Sequence, residues 1–289
     1  MPKVSIVLPC YNGAQLLGQA IESCINQTFT DWELIIVNDC STDNTLEVAN
    51  AYAQKDERIH VYTNETNSKL PATLNNGFRR ATGEYWTWTS DDNILHPDML
   101  ETMVSYLDEH QDVGIVVSDS LTIDMSGNVI GGQFIPDDFQ SRMIFENYVG
   151  ASFLYRRTEA LLIGEYREDL FLVEDYEFFL RMSFHCKMAH ISKTLYYYRD
   201  NPQSLTATRQ REIRERLAEM RLLYIDRIEN LLSDCPQKIT KVYYKIVDNL
   251  SGARRFKQFI HFFKKNPFGF GLKYLFIHLP NKIFKIRKR

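Results

Sequence analysis

Two pairs of neighbouring acids carry the chemistry that this sequence suggests first. Asp91 and Asp92 close the stretch "WTWTSDD", and Glu174 and Asp175 open "EDYEFFLR". Trp86, Thr87, Trp88 and Thr89 suit a packed strand, so the first pair sits just past a strand end. Adjacent carboxylates repel unless something cationic lies between them, and their hard oxygens suit Mg²⁺ or Mn²⁺. A polar turn ahead of a helix starting near His96–Pro97 accounts for them equally well. Glu174 and Asp175 fall in the first turn of a short helix, where acids offset the helix dipole without any catalytic task.

The elements that position these acids follow from the apolar pattern. "VSIVLP" and "WELIIVND" are continuous apolar runs of strand length, as expected of strands buried on both faces of a parallel sheet. Between them "AQLLGQAIESCINQTF" has helical spacing, which makes a βαβ unit. The alternation continues: "DNTLEVANAYAQK" reads as a helix, "RIHVYT" as a strand, "LPATLNNGFRRAT" as a helix ended by Gly83, and "EYWTWTS" as a strand. Such a doubly wound sheet binds ligands beyond the carboxyl ends of its strands. Pro9-Cys10-Tyr11-Asn12, Asn38-Asp39 and Ser90-Asp91-Asp92 all fall at that rim. Further on, "HPDMLETMVSYLDEH" predicts a helix, "VGIVVSDSLTID" a strand, "MSGNVIGG" a turn into a loop-rich region, "SFLYRR" a strand, and "MAHISKTLYYYRD" a strand. From Thr206 onward the spacing is helical, with Ile213, Leu217, Met220, Tyr224, Ile228 and Leu231 on one side.

The 289 residues suffice for one α/β domain with an extension, divided here at 1–205 and 206–289. Apolar content of 44% and charged content of 25% are ordinary for a globular protein. The charge is unevenly spread. No acid follows Asp248, yet eleven Lys or Arg do, leaving 23 basic against 37 acidic side chains in residues 1–248. An acidic body with a basic tail points to an anionic partner such as a membrane surface. Five cysteines without C-x-x-C spacing argue against a disulfide framework or a zinc site and suit a reducing compartment. "MPKVSIVLPC" is too short an apolar run for a signal peptide, and no window reaches the ~18 residues of a spanning helix.

In order, "VSIVLPCYNG", "IIVNDCSTDNT", "LPATLNNGFRRATGEY", "SDDN" and "VEDYEFFLR" resemble the motifs of family 2 glycosyltransferases with a GT-A fold. The resemblance covers roughly residues 3–200. It implies a Rossmann-like, mostly parallel sheet flanked by helices, with the helical residues 206–289 as an added extension. It also implies metal-dependent transfer of a sugar from a nucleotide diphosphate, with inversion. On this resemblance Asp92 is the ligand of Mn²⁺ or Mg²⁺, and Asp91 faces the ribose or uridine. Asp39 is similar to the base-recognising acid, while Pro9, Tyr11 and Asn12 line the nucleotide pocket and Lys69 and Asn75 approach the nucleotide. Asp175 matches the base that takes the acceptor hydroxyl's proton. Glu174 is a candidate acceptor contact and Arg199 a candidate diphosphate contact. Two positions depart from the pattern: Thr89 stands where relatives often carry an acid, and Asn201 where many carry a histidine near the metal.

The partners that the resemblance implies are a uridine-based nucleotide-sugar donor and a glycan or lipid-linked acceptor of the cell envelope, with no nucleic acid. A nucleotidyltransferase is the competing enzyme class, but no Gly-rich triphosphate loop with a paired Lys appears near the N-terminus. A non-catalytic, membrane-docked binding module is the third reading. The tail from Ser251, "RRFKQFIHFFKKNPFGFGLKYLFIHLPNKIFKIRKR", alternates apolar stripes with cations, as in a segment lying in a lipid interface. That places the protein at the cytoplasmic face of the plasma membrane. A packed helical extension burying Phe256, Phe259, Ile260 and Phe263 is the alternative for the same stretch.

Overall fold

The computed structural model describes residues 1–266 and Phe270. The chain divides into two compact units, Met1–Ser204 and Leu205–Arg289. The first unit runs β1 (Val4–Cys10), α1 (Ala14–Ile25), β2 (Trp32–Asn38), α2 (Thr45–Ala53), β3 (Ile59–Thr63), α3 (Lys69–Phe78), β4 (Tyr85–Trp88), β5 (Ile94–Leu95), α4 (Met99–Glu109), β6 (Val113–Ile123), β7 (Val129–Gln133), α5 (Phe139–Arg142), β8 (Phe153–Arg156), α6 (Arg157–Ile163), α7 (Glu174–His185) and β9 (Lys187–Arg199).

The strands join in the order β3-β2-β1-β4-β8-β6-β9-β5, with β7 paired to β6. The pairs β1–β2, β1–β4, β2–β3 and β6–β9 are parallel. Strand β8 runs antiparallel to both β4 and β6. This is the mostly parallel, helix-flanked α/β sheet expected of the sequence. All seven residues of β1 and all seven of β2 are buried, because helices cover both faces. Val4, Ile6, Leu8, Leu34 and Ile36 pack with Leu17, Ala20 and Ile21 of α1 and with Met99, Met103 and Leu107 of α4. The alternate residues meet the other layer. A Cβ on Gly77 of α3 would lie 2.4 Å from Val7 Cγ1, so a glycine is what lets α3 sit directly on the sheet. On that same face Phe153 and Tyr155 of β8 meet Phe179 and Phe178 of α7.

Local departures from the sequence expectation have identifiable causes. "MSGNVIGG" forms a turn only as far as Asn128, where Asp124 Oδ1 accepts the N–H groups of Ser126 and Asn128. Val129–Gln133 then pairs with β6 as β7. Its Gly131-Gly132 pair hides the alternation that marks a strand. The two-residue β5 exists only because Ile94 and Leu95 pair with Tyr197 and Tyr196 of β9. Helix α3 stops at Phe78 and α4 starts at Met99, inside the broader helical spans read from spacing.

The second unit is helical: α8 (Leu205–Thr208), α9 (Gln210–Leu223), α10 (Ile225–Leu231), α11 (Pro236–Asn249) and α12 (Gly252–Lys265). The expected single stripe is interrupted at Tyr224, which separates α9 from α10. Val242, Tyr243, Ile246 and Val247 form the buried face of α11. Tyr243 stacks on Phe262 of α12 with ring centroids 4.0 Å apart. The stripe anticipated on α12 is therefore corrected: Phe262 is the buried aromatic, whereas Phe256 is 67% exposed and Ile260 is exposed too. Several of its cations are paired, Arg254 with Glu219, Arg255 with Asp248 and Lys265 with Glu229. No helix among the described residues is long and apolar enough to cross a membrane. The lipid-interface expectation for 267–269 and 271–289 lies outside the described residues.

Candidate active site

The carboxyl ends of β1 and β2 are laced together by their loops. Asn12 takes the left-handed conformation, φ 53°, which Asn tolerates better than most residues. Its Oδ1 accepts the Thr42 N–H at 2.8 Å, and its own N–H donates to Ser41 Oγ at 3.0 Å. The Gly13 N–H donates to Thr45 Oγ1 at 2.9 Å. Asn12 is thereby a loop clamp as well as a rim residue. Pro9 is buried inside β1, opposite Val37, whereas the Tyr11 side chain stands exposed at the rim.

Asp39 follows β2 and is only 4% exposed. Its carboxylate accepts from Asn64 Nδ2 at 2.8 Å, the Ser68 N–H at 2.7 Å and the Lys69 N–H at 2.9 Å. A carboxylate offers about four acceptor positions, so one remains for an incoming N–H. Lys69 has φ 71°. That turn points its main-chain N–H at Asp39 and leaves its side chain exposed. Asn75 is placed differently from the expectation. It is 2% exposed, and its amide is spent on Tyr166, donating to the main-chain carbonyl at 2.9 Å and accepting the N–H at 2.9 Å. It fastens the segment before α7 to α3.

Asp91 packs against Gly13, where a Cβ would collide with Asp91 Oδ2. Burial pushes its pKa up to about 7, the neighbouring Asp92 charge adds to this, and the Tyr11 N–H opposes it. Asp92 is gripped from β9. Asn201 Nδ2 donates to Asp92 Oδ2 at 3.0 Å, and Arg199 Nε donates to the Asp92 carbonyl at 2.8 Å. Arg199 is 2% exposed. Its other donors go to the carbonyls of Asp124 and Met125 and to Gln19 Oε1, and its N–H goes to Asn93 Oδ1. A guanidinium so placed braces the Ser90–Asn93 turn, and this corrects its expected part as a diphosphate contact.

The second acid pair sits at the start of α7, after Leu172 at φ 82°. Burial raises the pKa of Asp175, against the backbone N–H groups of Tyr176 and Asp175 that favour its ionised form. Asn147 Nδ2 donates to Asp175 Oδ2 at 3.1 Å. Glu174 is 3% exposed, and its Oε2 has no hydrogen-bond partner. Burial, reinforced by the charge of Asp175, pushes its pKa up to about 8. Tyr166 links the end of β4 to the surroundings of Asp175. Trp88 Nε1, at the end of β4, donates to its hydroxyl at 3.0 Å, and the charge of Asp175 acts on that same hydroxyl.

Among the described residues, no group of three or more His, Cys, Asp or Glu converges to cage a metal. Asp91 and Asp92 nevertheless fit a hard divalent cation. Magnesium-type sites commonly use one or two carboxylates with phosphate oxygens and water as the remaining ligands. Burial is the larger cause of the raised proton affinity of Asp91, and the Asp92 charge that adds to it is one a cation would neutralise. Asn64, Asn147 and Tyr166 escaped the sequence reading. Each acts through hydrogen bonds to residues distant in sequence, which no local pattern announces.

The chain is 38% identical over 136 residues to the putative glycosyltransferase EpsE of Bacillus subtilis, covering 47% of this chain and 49% of EpsE. It spans between 23% and 49% of the length of the first curated relatives that it matches. Among solved structures, Staphylococcus aureus TarS 1–349 in complex with UDP superposes with a TM-score of 0.64 at 20% identity, covering 89% of this chain and 75% of that one. The mannosyltransferase PcManGT of Pyrobaculum calidifontis, in complex with GDP-Man and Mn²⁺, gives a TM-score of 0.58 at 16% identity, covering 96% and 71%. At such identities the likeness is one of fold. The model of the family described as glycosyl transferase family 2 matches residues 5–159, from β1 into α6. That span is more than half of the sequence, and the chain belongs to glycosyl transferase family 2.

Proposed function

We propose that the protein transfers a sugar, with inversion and with a divalent metal, from a uridine-diphosphate sugar to a glycan or lipid-linked acceptor in cell-envelope polysaccharide synthesis. The observation that carries this reading is the pairing of two separately braced acid sites. Asp92 is held by Asn201 and Arg199, and Asp175 is held by Asn147. Residues 1–205 form the catalytic domain on this reading, and 206–289 an extension.

Asp175 takes the proton of the acceptor hydroxyl as that oxygen attacks the anomeric carbon, and the bond from that carbon to the diphosphate oxygen breaks. One base suffices because no covalent sugar–enzyme intermediate forms. Burial makes Asp175 a stronger base than a surface carboxylate, while its N–H donors favour its ionised form against that burial. Glu174 carries an unpartnered oxygen beside it, suited to a second acceptor hydroxyl. Asp39 takes a ring N–H of uracil, Tyr11 lies along the base, and Lys69 is free to reach the phosphates. Asp92, with Asp91 alongside, would hold a divalent cation, which would supply charge neutralisation for the departing diphosphate. The complexes of TarS with UDP and of PcManGT with Mn²⁺ support this choice of donor and metal. The exposed Phe256 and Ile260 support a peripheral site at the cytoplasmic membrane face. Incubation with a panel of UDP-sugars should release UDP only with Mn²⁺ or Mg²⁺ present. Pyrophosphate formation from UTP and a sugar phosphate would instead identify a nucleotidyltransferase.

A further inference from the structure

We infer that Asn147 is a positioning residue for the base, setting the rotation and protonation of the Asp175 carboxylate; this rests on the reading of Asp175 given above. Asn147 lies in the connection between α5 and β8, far in sequence from either acid pair. Both ends of its amide are committed. Oδ1 accepts the Val149 N–H at 3.1 Å, and Nδ2 donates to Asp175 Oδ2 at 3.1 Å. The first bond fixes the amide within its own turn, so the second donor has a set direction.

The loop carrying Asn147 is a built feature. Val149 and Met143 are buried. Gly150 has φ 63°, a left-handed conformation that favours glycine, and a Cβ there would displace the end of the Gln133 side chain beside β7. The loop is also fastened to α7 at a second point, where the Tyr176 hydroxyl donates to the Met143 carbonyl at 2.6 Å. Docking of the loop therefore does not depend on Asn147. What Asn147 adds is one donor on one oxygen of the base.

That donor does two things for a proton acceptor. It favours the ionised form, against the burial that disfavours it. It also prevents the carboxylate from rotating, so that the lone pair meeting the substrate hydroxyl keeps one orientation. Neither effect involves the nucleotide, which meets the rim of β1, β2 and β4. Loss of Asn147 should therefore appear in kcat and leave donor binding untouched.

Two substitutions separate positioning from scaffolding. Asn147→Asp retains an acceptor for the Val149 N–H but turns the donor against Asp175 into a second carboxylate. Asn147→Ala removes both contacts. The assay uses the full-length protein with Mn²⁺ and whichever of UDP-glucose, UDP-galactose or UDP-N-acetylglucosamine the wild type turns over. We expect kcat to fall at least tenfold in Asn147→Asp and by less in Asn147→Ala. KM for the donor, and UDP affinity by calorimetry, should stay within twofold in both. A purely structural role predicts the opposite order, with Asn147→Asp near wild type and Asn147→Ala impaired together with its melting temperature. That result, or wild-type kcat in both, overturns the inference. Asp175→Asn measured alongside distinguishes the failures. If it retains transfer, the base assignment itself is wrong; if it is inactive while Asn147→Asp is not, only the role of Asn147 falls.

Discussion

Asn201 donates its side-chain N–H to Asp92 Oδ2 across 3.0 Å, joining the end of β9 to the turn after β4. The two residues are 109 positions apart in the chain. Asn201 stands where a histidine was expected beside a metal, and it does reach the metal-ligand candidate, but as a hydrogen-bond donor. Its own Oδ1 accepts the Gln203 N–H at 2.9 Å, which fixes the direction of the amide. Asn201→Ala should leave the fold intact and weaken Mn²⁺-dependent binding of UDP, whereas metal-free UDP binding should change little. Calorimetry with and without Mn²⁺ reads the difference. Equal UDP affinity in variant and wild type under both conditions would show that the contact does not matter for the metal.

Asp92→Asn should remove most turnover and most of the Mn²⁺ dependence of nucleotide binding, with a melting temperature close to wild type. An amide keeps the shape but loses the charge that a divalent cation needs. Wild-type turnover in this variant would make Asp92 a turn residue and the site misplaced.

Asp39 serves two masters, so its removal should register twice. Asp39→Ala leaves the partly buried N–H groups of Ser68 and Lys69 without their acceptor. Unsatisfied groups cost about 1–3 kcal/mol when buried, and these are only partly buried, so stability against urea should fall by about 1 kcal/mol, the low end of that range. UDP affinity should fall by a similar free energy. A stability loss with unchanged UDP affinity would assign Asp39 to the loop alone.

Glu174 gives a pH dependence with a definite sign. Burial and the Asp175 charge raise its pKa from an ordinary 4.5 to about 8. The folded state therefore binds this proton more tightly than the unfolded chain does. Below about 4.5 both states hold it and Glu174 contributes no pH dependence. As pH rises from there toward about 8, the unfolded state gives up the proton and the folded state resists, so this group's contribution to stability declines. Glu174→Gln abolishes the decline. The melting temperature of the variant relative to wild type should thus increase from pH 5 to pH 8. A constant difference across that range would contradict the raised affinity.

The strands were legible where composition alone decides the outcome. "VSIVLPC" and "WELIIVN" are apolar along their whole length because helices cover both faces, and such runs need no partner to be recognised. Acid pairs placed by motif order were also found where expected, Asp91-Asp92 after β4 and Glu174-Asp175 at the start of α7. What stayed hidden was set by contacts distant in sequence. Strand β5 is defined by β9, Asn75 is drawn to Tyr166, and Arg199 is turned inward by three carbonyls. The choice between Phe256 and Phe262 on α12 is likewise made by Tyr243, which a stripe of phenylalanines cannot reveal.

The central claim is that Asp175 is the base of an inverting transfer, and Asp175→Asn tests it most directly. The amide keeps the size of the side chain while removing its ability to take a proton. Transfer from the UDP-sugar should fall by at least ~10²-fold, the low end for a lost general base. UDP affinity in the presence of Mn²⁺ should match that of the wild type. Transfer at the wild-type rate, or a loss of transfer that only follows a loss of UDP binding, would contradict the account.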